Sequence, residues 1–176
     1  RLALVWATTD KITTKLLYGK AFRAPSFNEL FVTTNPIVLG DPHLKAETVD
    51  TYEFALSHQL SNQLLYTANV YRYSIQDFIT YIPISSGVNQ AQNIGNRKGQ
   101  GFELEADYSP VYNVRFLANY AYQQSIDKKT DADVGDAPSH QIYGRSEWTI
   151  DSDWHIDSQI TWVGKQKRGF GDTRSA

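Results

Sequence analysis

Four carboxylates, Glu53, Glu103, Glu105 and Asp107, are the side chains best suited to moving protons, because paired acids can serve as general acid and base. Their setting argues against it. Each is flanked by apolar or aromatic residues (Tyr52 and Phe54, Phe102 and Leu104, Ala106 and Tyr108), the pattern of one wet face of an extended strand. Nothing there predicts the dry pocket that would push two carboxyl pKa values apart, so no catalytic residue is expected. His43, His58, His140 and His155 are scattered, with no i, i+4 pair, and predict no metal site. The run Gly95-Asn96-Arg97-Lys98-Gly99-Gln100-Gly101 lacks the strand–loop–helix setting and terminal Lys-Ser/Thr of a phosphate loop, and reads as a flexible loop. Asp127, Asp131, Asp133 and Asp136 do not match the calcium-loop spacing of an EF-hand and read as a solvated acidic loop. What remains is recognition. Phe31, His43, Tyr81, Asn89 and Arg97 supply rings, an amide and cations suited to aromatic or anionic chelates.

These side chains need a frame, and composition limits what it is. The chain has 176 residues, a net charge of −2, 41% hydrophobic and 13% aromatic residues, no Cys and no Met. Disulfides and thiolate metal sites are excluded, and the charge gives no support for nucleic-acid binding. No apolar run approaches the roughly 18 residues of a transmembrane helix. The sequence does not open on a secretory signal, so any export signal is expected outside it.

Punctuation supplies the organisation. Short polar turns at Thr9-Asp10-Lys11, Ser61-Asn62-Gln63, Ser109-Pro110 and Asp151-Ser152-Asp153 alternate with longer irregular stretches near 25–46, 83–97, 127–138 and from Gly164. Every proline falls in or beside such a break, which spares the intervening segments a lost ladder donor. Those segments, near 1–9, 12–24, 46–60, 64–82, 98–108, 111–126, 138–150 and 154–164, predict about eight antiparallel strands. Ser26–Phe31 could add one helical turn.

Alternate residues then separate into two faces. One phase (Ile12, Thr14, Leu16, Tyr18; Leu64, Tyr66, Ala68, Val70; Tyr112, Val114, Phe116, Ala118, Tyr120; Trp154, Ile156, Ser158, Ile160, Trp162) is nearly all apolar and carries no charge. The other phase holds Lys15, Asn69, Arg115 and Asp157, and on the returning strands Glu53, Glu103 and Glu105. A soluble sheet would turn the apolar phase inward; a membrane barrel turns it outward to lipid and the polar phase toward a wet lumen. Length favours the membrane, since a crossing strand needs about 9–11 residues. The apolar phase within Ile12–Lys20, Leu64–Arg72, Tyr112–Tyr120 and Trp154–Trp162 fits that span, uncharged until it ends on a cation or a ring. Arg72 would cost roughly 2–4 kcal/mol at the bilayer midplane and about 0–1 kcal/mol at its edge. Tyr112 and Trp154 near the short turns, and Tyr120 and Trp162 near the long loops, are placed as two membrane girdles. The reading is an all-β, antiparallel up-and-down transmembrane β-barrel segment, with Glu53, Glu103, Glu105 and Arg115 facing the lumen.

Four stretches carry a resemblance. Tyr18-Gly19-Lys20-Ala21-Phe22-Arg23-Ala24-Pro25-Ser26 with Glu29-Leu30-Phe31 resembles the YGxxFRAPSxxEL(F/Y) run of TonB-dependent outer-membrane receptors. Gly40-Asp41-Pro42-His43-Leu44-Lys45-Ala46-Glu47 with Tyr52-Glu53 resembles their GNPxLKPE…YE segment, departing at Asp41 and Ala46. Ala68-Asn69-Val70-Tyr71 with Asp77-Phe78-Ile79, and Asn93-Ile94-Gly95 with Gly101-Phe102-Glu103-Leu104-Glu105, are similar to later strands of that family. The resemblance covers residues 18–105; beyond them only the strand rhythm matches.

It implies a barrel of about 22 strands around an N-terminal plug, in the outer membrane of a Gram-negative bacterium. Such a receptor takes up a ferric siderophore, haem or cobalamin, driven through its plug by the inner-membrane TonB complex. No cofactor or enzyme activity is implied. Residues 1–176 would be part of the barrel domain, without plug or final strand, an open arc of wall that transports nothing alone. Phe22-Arg23-Ala24-Pro25 reads as structural, with Arg23 beyond the membrane level and able to pair with an acidic loop or lumen residue. A passive porin-like barrel and a soluble β-barrel ligand carrier are the alternatives, with an outer-membrane hydrolase behind them.

Overall fold

A computed structural model describes residues 1–135 and 137–166. Strands β1 (Leu2–Thr9), β2 (Ile12–Arg23), β4 (Glu47–Ser61), β5 (Leu64–Ser85), β6 (Val88–Val111), β7 (Val114–Asp127), β8 (His140–Thr149) and β9 (His155–Val163) form one antiparallel meander in chain order. A short helix, α1 (Phe27–Phe31), and a two-residue strand, β3 (Val38–Leu39), interrupt it between β2 and β4. β3 pairs parallel with Asn89 and Gln90 of β6. β1 and β9 each pair on one side only, so the described sheet is an open arc.

The register brings the two sequence phases onto opposite faces. One row runs Leu16–Phe54–Val70–Phe102–Tyr122 across β2, β4, β5, β6 and β7. The adjacent row on the other face runs Lys15–Ala55–Asn69–Glu103–Ala121. Among the described residues nothing packs on the apolar face: Val70 is 50% exposed and Ile160 69%. Among the described residues the buried apolar side chains are Ile79 and Ala91, both in the upper β5–β6 hairpin where segment 32–46 docks.

Three boundaries differ from the sequence reading. Residues 83–97, expected as a loop, continue β5 and β6 to a tight turn at Ser86–Gly87, where Gly87 has φ of 78°. The supposed flexible run 95–101 is strand, because the Tyr73 and Tyr71 rings lie over the Gly99 and Gly101 backbone opposite them. A Cβ at either glycine would overlap a ring. Finally, β6 passes through Ser109-Pro110 with a register irregularity and turns at Tyr112–Asn113. Tyr112 therefore sits in the turn, fully exposed, rather than on a strand.

Candidate functional site

Above the apolar rows, a chain of contacts begins where Pro25 ends β2. Ser26 caps α1: its Oγ accepts from the Glu29 amide at 3.3 Å, and Glu29 Oε2 accepts from the Ser26 amide at 2.7 Å. Arg23 Nη1 donates to Glu29 Oε2 at 2.9 Å, while its Nε and Nη2 donate to Glu47 at 2.7 and 2.8 Å. Glu47 Oε1 also accepts from the Ile79 amide at 2.7 Å. One guanidinium thus ties α1 and β4 to β2, and Glu47 extends the tie to β5. The Arg23 hydrogen bonds, reinforced by the Ser26 amide, hold the Glu29 carboxyl down to about 2, and Glu47 is lowered by the same guanidinium.

The segment after α1 is a strap laid across the upper hairpin. The Gly40 amide donates to Val32 O at 2.7 Å and the Asp41 amide to Glu29 O at 2.8 Å. A Cβ on Gly40 would stand 2.8 Å from Glu29 O. Asp41 Oδ1 accepts from the His43 amide at 2.8 Å. Asn93 Oδ1 accepts from the Lys45 amide at 2.7 Å, and its Nδ2 donates to Lys45 O at 3.1 Å and Asp77 O at 2.6 Å. Asp77 is the bulge of β5, at φ 54°.

The five recognition residues lie along this strap and hairpin but form no single cluster. Phe31 ends α1 with its ring against Phe27 (5.1 Å between centroids), and His43 is exposed on the strap turn. Tyr81, opposite Ala91, and Asn89, opposite Pro83, lie two register pairs apart near the hairpin tip. Arg97 is lower down, its guanidinium 3.9 Å from the Phe78 ring centroid. There it lines a cavity of about 140 Å³ with Tyr73, Gln123 and Asp133. A larger groove of about 660 Å³, between Leu4, Tyr18, Tyr52 and Phe54, opens on the apolar face and so belongs to a different environment.

Toward the short turns, the polar face carries a ladder of alternating charge. Arg115 binds Asp107 at 2.6 Å and reaches Glu147 at 3.7 Å; Arg145 binds Glu147 at 2.9 Å and also Asp157. Four strands, β6 to β9, are bridged in sequence. Glu53, Glu103 and Glu105 stand on the same face, with no ion pair to a cation among the described residues. On the apolar face Tyr120 and Trp162 share one row through Ile142, while Trp154 lies in the β8–β9 turn. The acids of 127–133 serve separate local partners: Asp127 the Lys129 and Thr130 amides, Asp131 the Lys98 ammonium, Asp133 the Gly135 amide. Asp136 lies outside the described residues.

The family model described as TonB dependent receptor-like, beta-barrel matches residues 1–176. The chain belongs to that family. It is 32% identical to the vitamin B12 transporter BtuB of Vibrio vulnificus over 99% of its own length and 28% of the transporter's. It is 23% identical to the ferric enterobactin receptor of Pseudomonas aeruginosa over 94% of this chain and 26% of that one. A solved structure of a variant of the latter receptor superposes with a TM-score of 0.80 at 22% identity, covering 95% of this chain and 28% of that one. The chain thus spans about a quarter of the length of the curated relatives it matches. That fraction agrees with an open arc.

Within this TonB-dependent receptor section, the motifs of residues 18–47 make one joint: Arg23, Ser26, Glu29 and Glu47 bond one another, and Gly40 permits the close approach of strap to helix. Sequence reasoning foresaw Arg23 pairing an acid but missed Asn93 as the clamp, because its partners at 45 and 77 are remote in sequence. It also missed Arg145, Glu147 and Asp157 as a continuation of Arg115. Their shared strand phase was a usable signal; knowing the hairpin register would have joined them.

Proposed function

We propose that this chain is a section of the wall of an energy-coupled outer-membrane receptor that takes up a scarce nutrient chelate, such as a ferric siderophore, haem or cobalamin. The longer protein closes the barrel around an N-terminal plug and draws energy from TonB through that plug; the section itself catalyses no reaction. The observation that carries this reading is the division of one sheet into an uncharged ring-rich face and a face bearing the Asp107–Arg115–Glu147–Arg145–Asp157 ladder, in a chain of this family. The apolar face meets lipid. Glu53, Glu103, Glu105 and Arg115 face the lumen, where the plug sits, and Tyr120, Trp162, Tyr112 and Trp154 mark the membrane borders. Phe31, His43, Tyr81, Asn89 and Arg97, on the strap and upper hairpin, contact the chelate at the outer mouth.

Disruption of the gene for the full-length protein, followed by uptake assays with labelled ferric siderophore, haem and cobalamin, tests the proposal. Uptake of one of these is expected to disappear, and to disappear equally in a strain lacking TonB. Uptake that persists without TonB would overturn it in favour of a passive porin-like barrel.

A further inference from the structure

The outward face does not end at the rings. Directly above Phe102 and Tyr122, and level with Tyr18 and Tyr52, the same face continues as Arg72, Gln100 and Gln124 in one register row, then Asp50, Ser74, Lys98 and Ile126 in the next. The Arg72 side chain is exposed and makes no hydrogen bond or ion pair among the described residues. Beside it, Lys128 extends across the sheet to donate to Ser74 Oγ at 2.8 Å, placing a third cation next to the Lys98 row. Arg72, Lys98, Gln100 and Gln124, with Ile126, line a cavity of about 250 Å³. Two acids are nearby. Asp50 is taken by Tyr18 Oη at 2.7 Å and Lys20 at 3.8 Å; Asp131, 3.3 Å from Lys98 Nζ, is 81% exposed.

We propose that this cavity binds the phosphate of an outer-leaflet lipid headgroup. Resting on the outer-membrane reading above, the proposal adds a ligand on the lipid side of the wall, away from the lumen. Its level is right: the cavity begins in the row of the Tyr18 and Tyr52 rings and one row beyond Phe102 and Tyr122, where acyl chains give way to headgroups. Its chemistry is right as well. A planar guanidinium offers paired donors to phosphate oxygens, two ammonium groups add charge, and the amides of Gln100 and Gln124 supply neutral donors. A phosphomonoester carries about −1.5 to −2 charge, so it displaces the single exposed carboxylate of Asp131 from Lys98. Ile126 gives the sugar or glycerol carbon a dry contact.

The test uses the full-length receptor reconstituted in phosphatidylcholine vesicles doped with either diphosphorylated lipid A or lipid A stripped of its phosphates. The lipid retained per protein is then counted by native mass spectrometry after mild detergent extraction. Wild-type protein is expected to retain the phosphorylated form, and R72Q/K98Q to lose about tenfold of that retention. The charge-matched variant K11Q/K45Q, altered outside the cavity, is expected to retain it fully. Should R72Q/K98Q fail to assemble, R72Q alone carries the comparison. Equal retention of both lipid A forms, undiminished retention by the variant, or complete displacement by inorganic phosphate would each overturn the lipid site. A protein that does not enter neutral vesicles at all would instead overturn the outer-membrane reading beneath it.

Discussion

Arg23 sits between two carboxylates from different elements, Glu29 in α1 and Glu47 in β4, and binds both with paired donors. Removing it would leave Glu29 and Glu47 as neighbouring like charges without a cation between them. Arg23→Ala is therefore expected to weaken closure of the strap by about 1 kcal/mol, a figure kept small because the guanidinium is half exposed to solvent. Arg23→Lys recovers only part of this, since an ammonium cannot serve both carboxylates in one plane. Amide hydrogen exchange over residues 24–46 of the full-length receptor reads the change. The same contact has a pH signature. Glu29 is held at about 2, below its ordinary 4.5, so the folded joint binds that proton less readily than the open one. Its contribution is complete above about pH 4.5 and is lost as the pH falls through about 2, with Glu47 shifted in the same direction. Strap protection that stayed constant from pH 6 to about pH 2 would contradict this linkage.

Elements are joined here by backbone groups that a side-chain inventory does not reveal. Asn93→Ala deletes three hydrogen bonds, to Lys45 N, Lys45 O and Asp77 O, and is expected to free the strap's far end while leaving the β4–β7 sheet below it intact. Gly40→Ala is expected to act at the near end, because its Cβ would press on Glu29 O and the Leu30 carbonyl carbon, neither of which can swing aside. Limited proteolysis of the two variants should cut within 32–46 in both and spare β5 and β6. These joints explain what was legible beforehand. The meander followed from polar turns and period-two alternation because each pairing is between chain neighbours. The upper hairpin was hidden by Pro83 and by Gly95, Gly99 and Gly101, residues that ordinarily mark a loop. Only the Tyr73–Gly99 and Tyr71–Gly101 pairings show why a strand would keep them. The strap's docking was not legible either, since its bonds span separations that no local pattern encodes.

At the scale of the molecule, the sheet is an interface between two media, with little interior of its own. Among the described residues both end strands have an unpaired edge and the apolar face is uncovered, so residues 1–176 cut from the full receptor are expected to aggregate in detergent-free buffer. A monodisperse monomer by light scattering would show that the arc closes on itself. The assignment of the faces can be tested inside the intact receptor with one type of substitution. Phe116 and Asn119 lie three residues apart on β7 but on opposite faces: Phe116 pairs with Tyr108, and Asn119 with Glu105. Phe116→Arg would put a guanidinium among the acyl chains near mid-membrane, midway between the Tyr112 and Tyr120 borders, a cost of about 2–4 kcal/mol. Asn119→Arg would put the same group on the wet face opposite Glu105, where water and a carboxylate receive it at little cost. In matched bilayers, the folded fraction of Phe116→Arg, read from the heat-modifiable band on a gel, should therefore fall sharply while that of Asn119→Arg stays near wild type. The reverse order would mean that the apolar rows pack inward, as they would in a soluble β-barrel carrier.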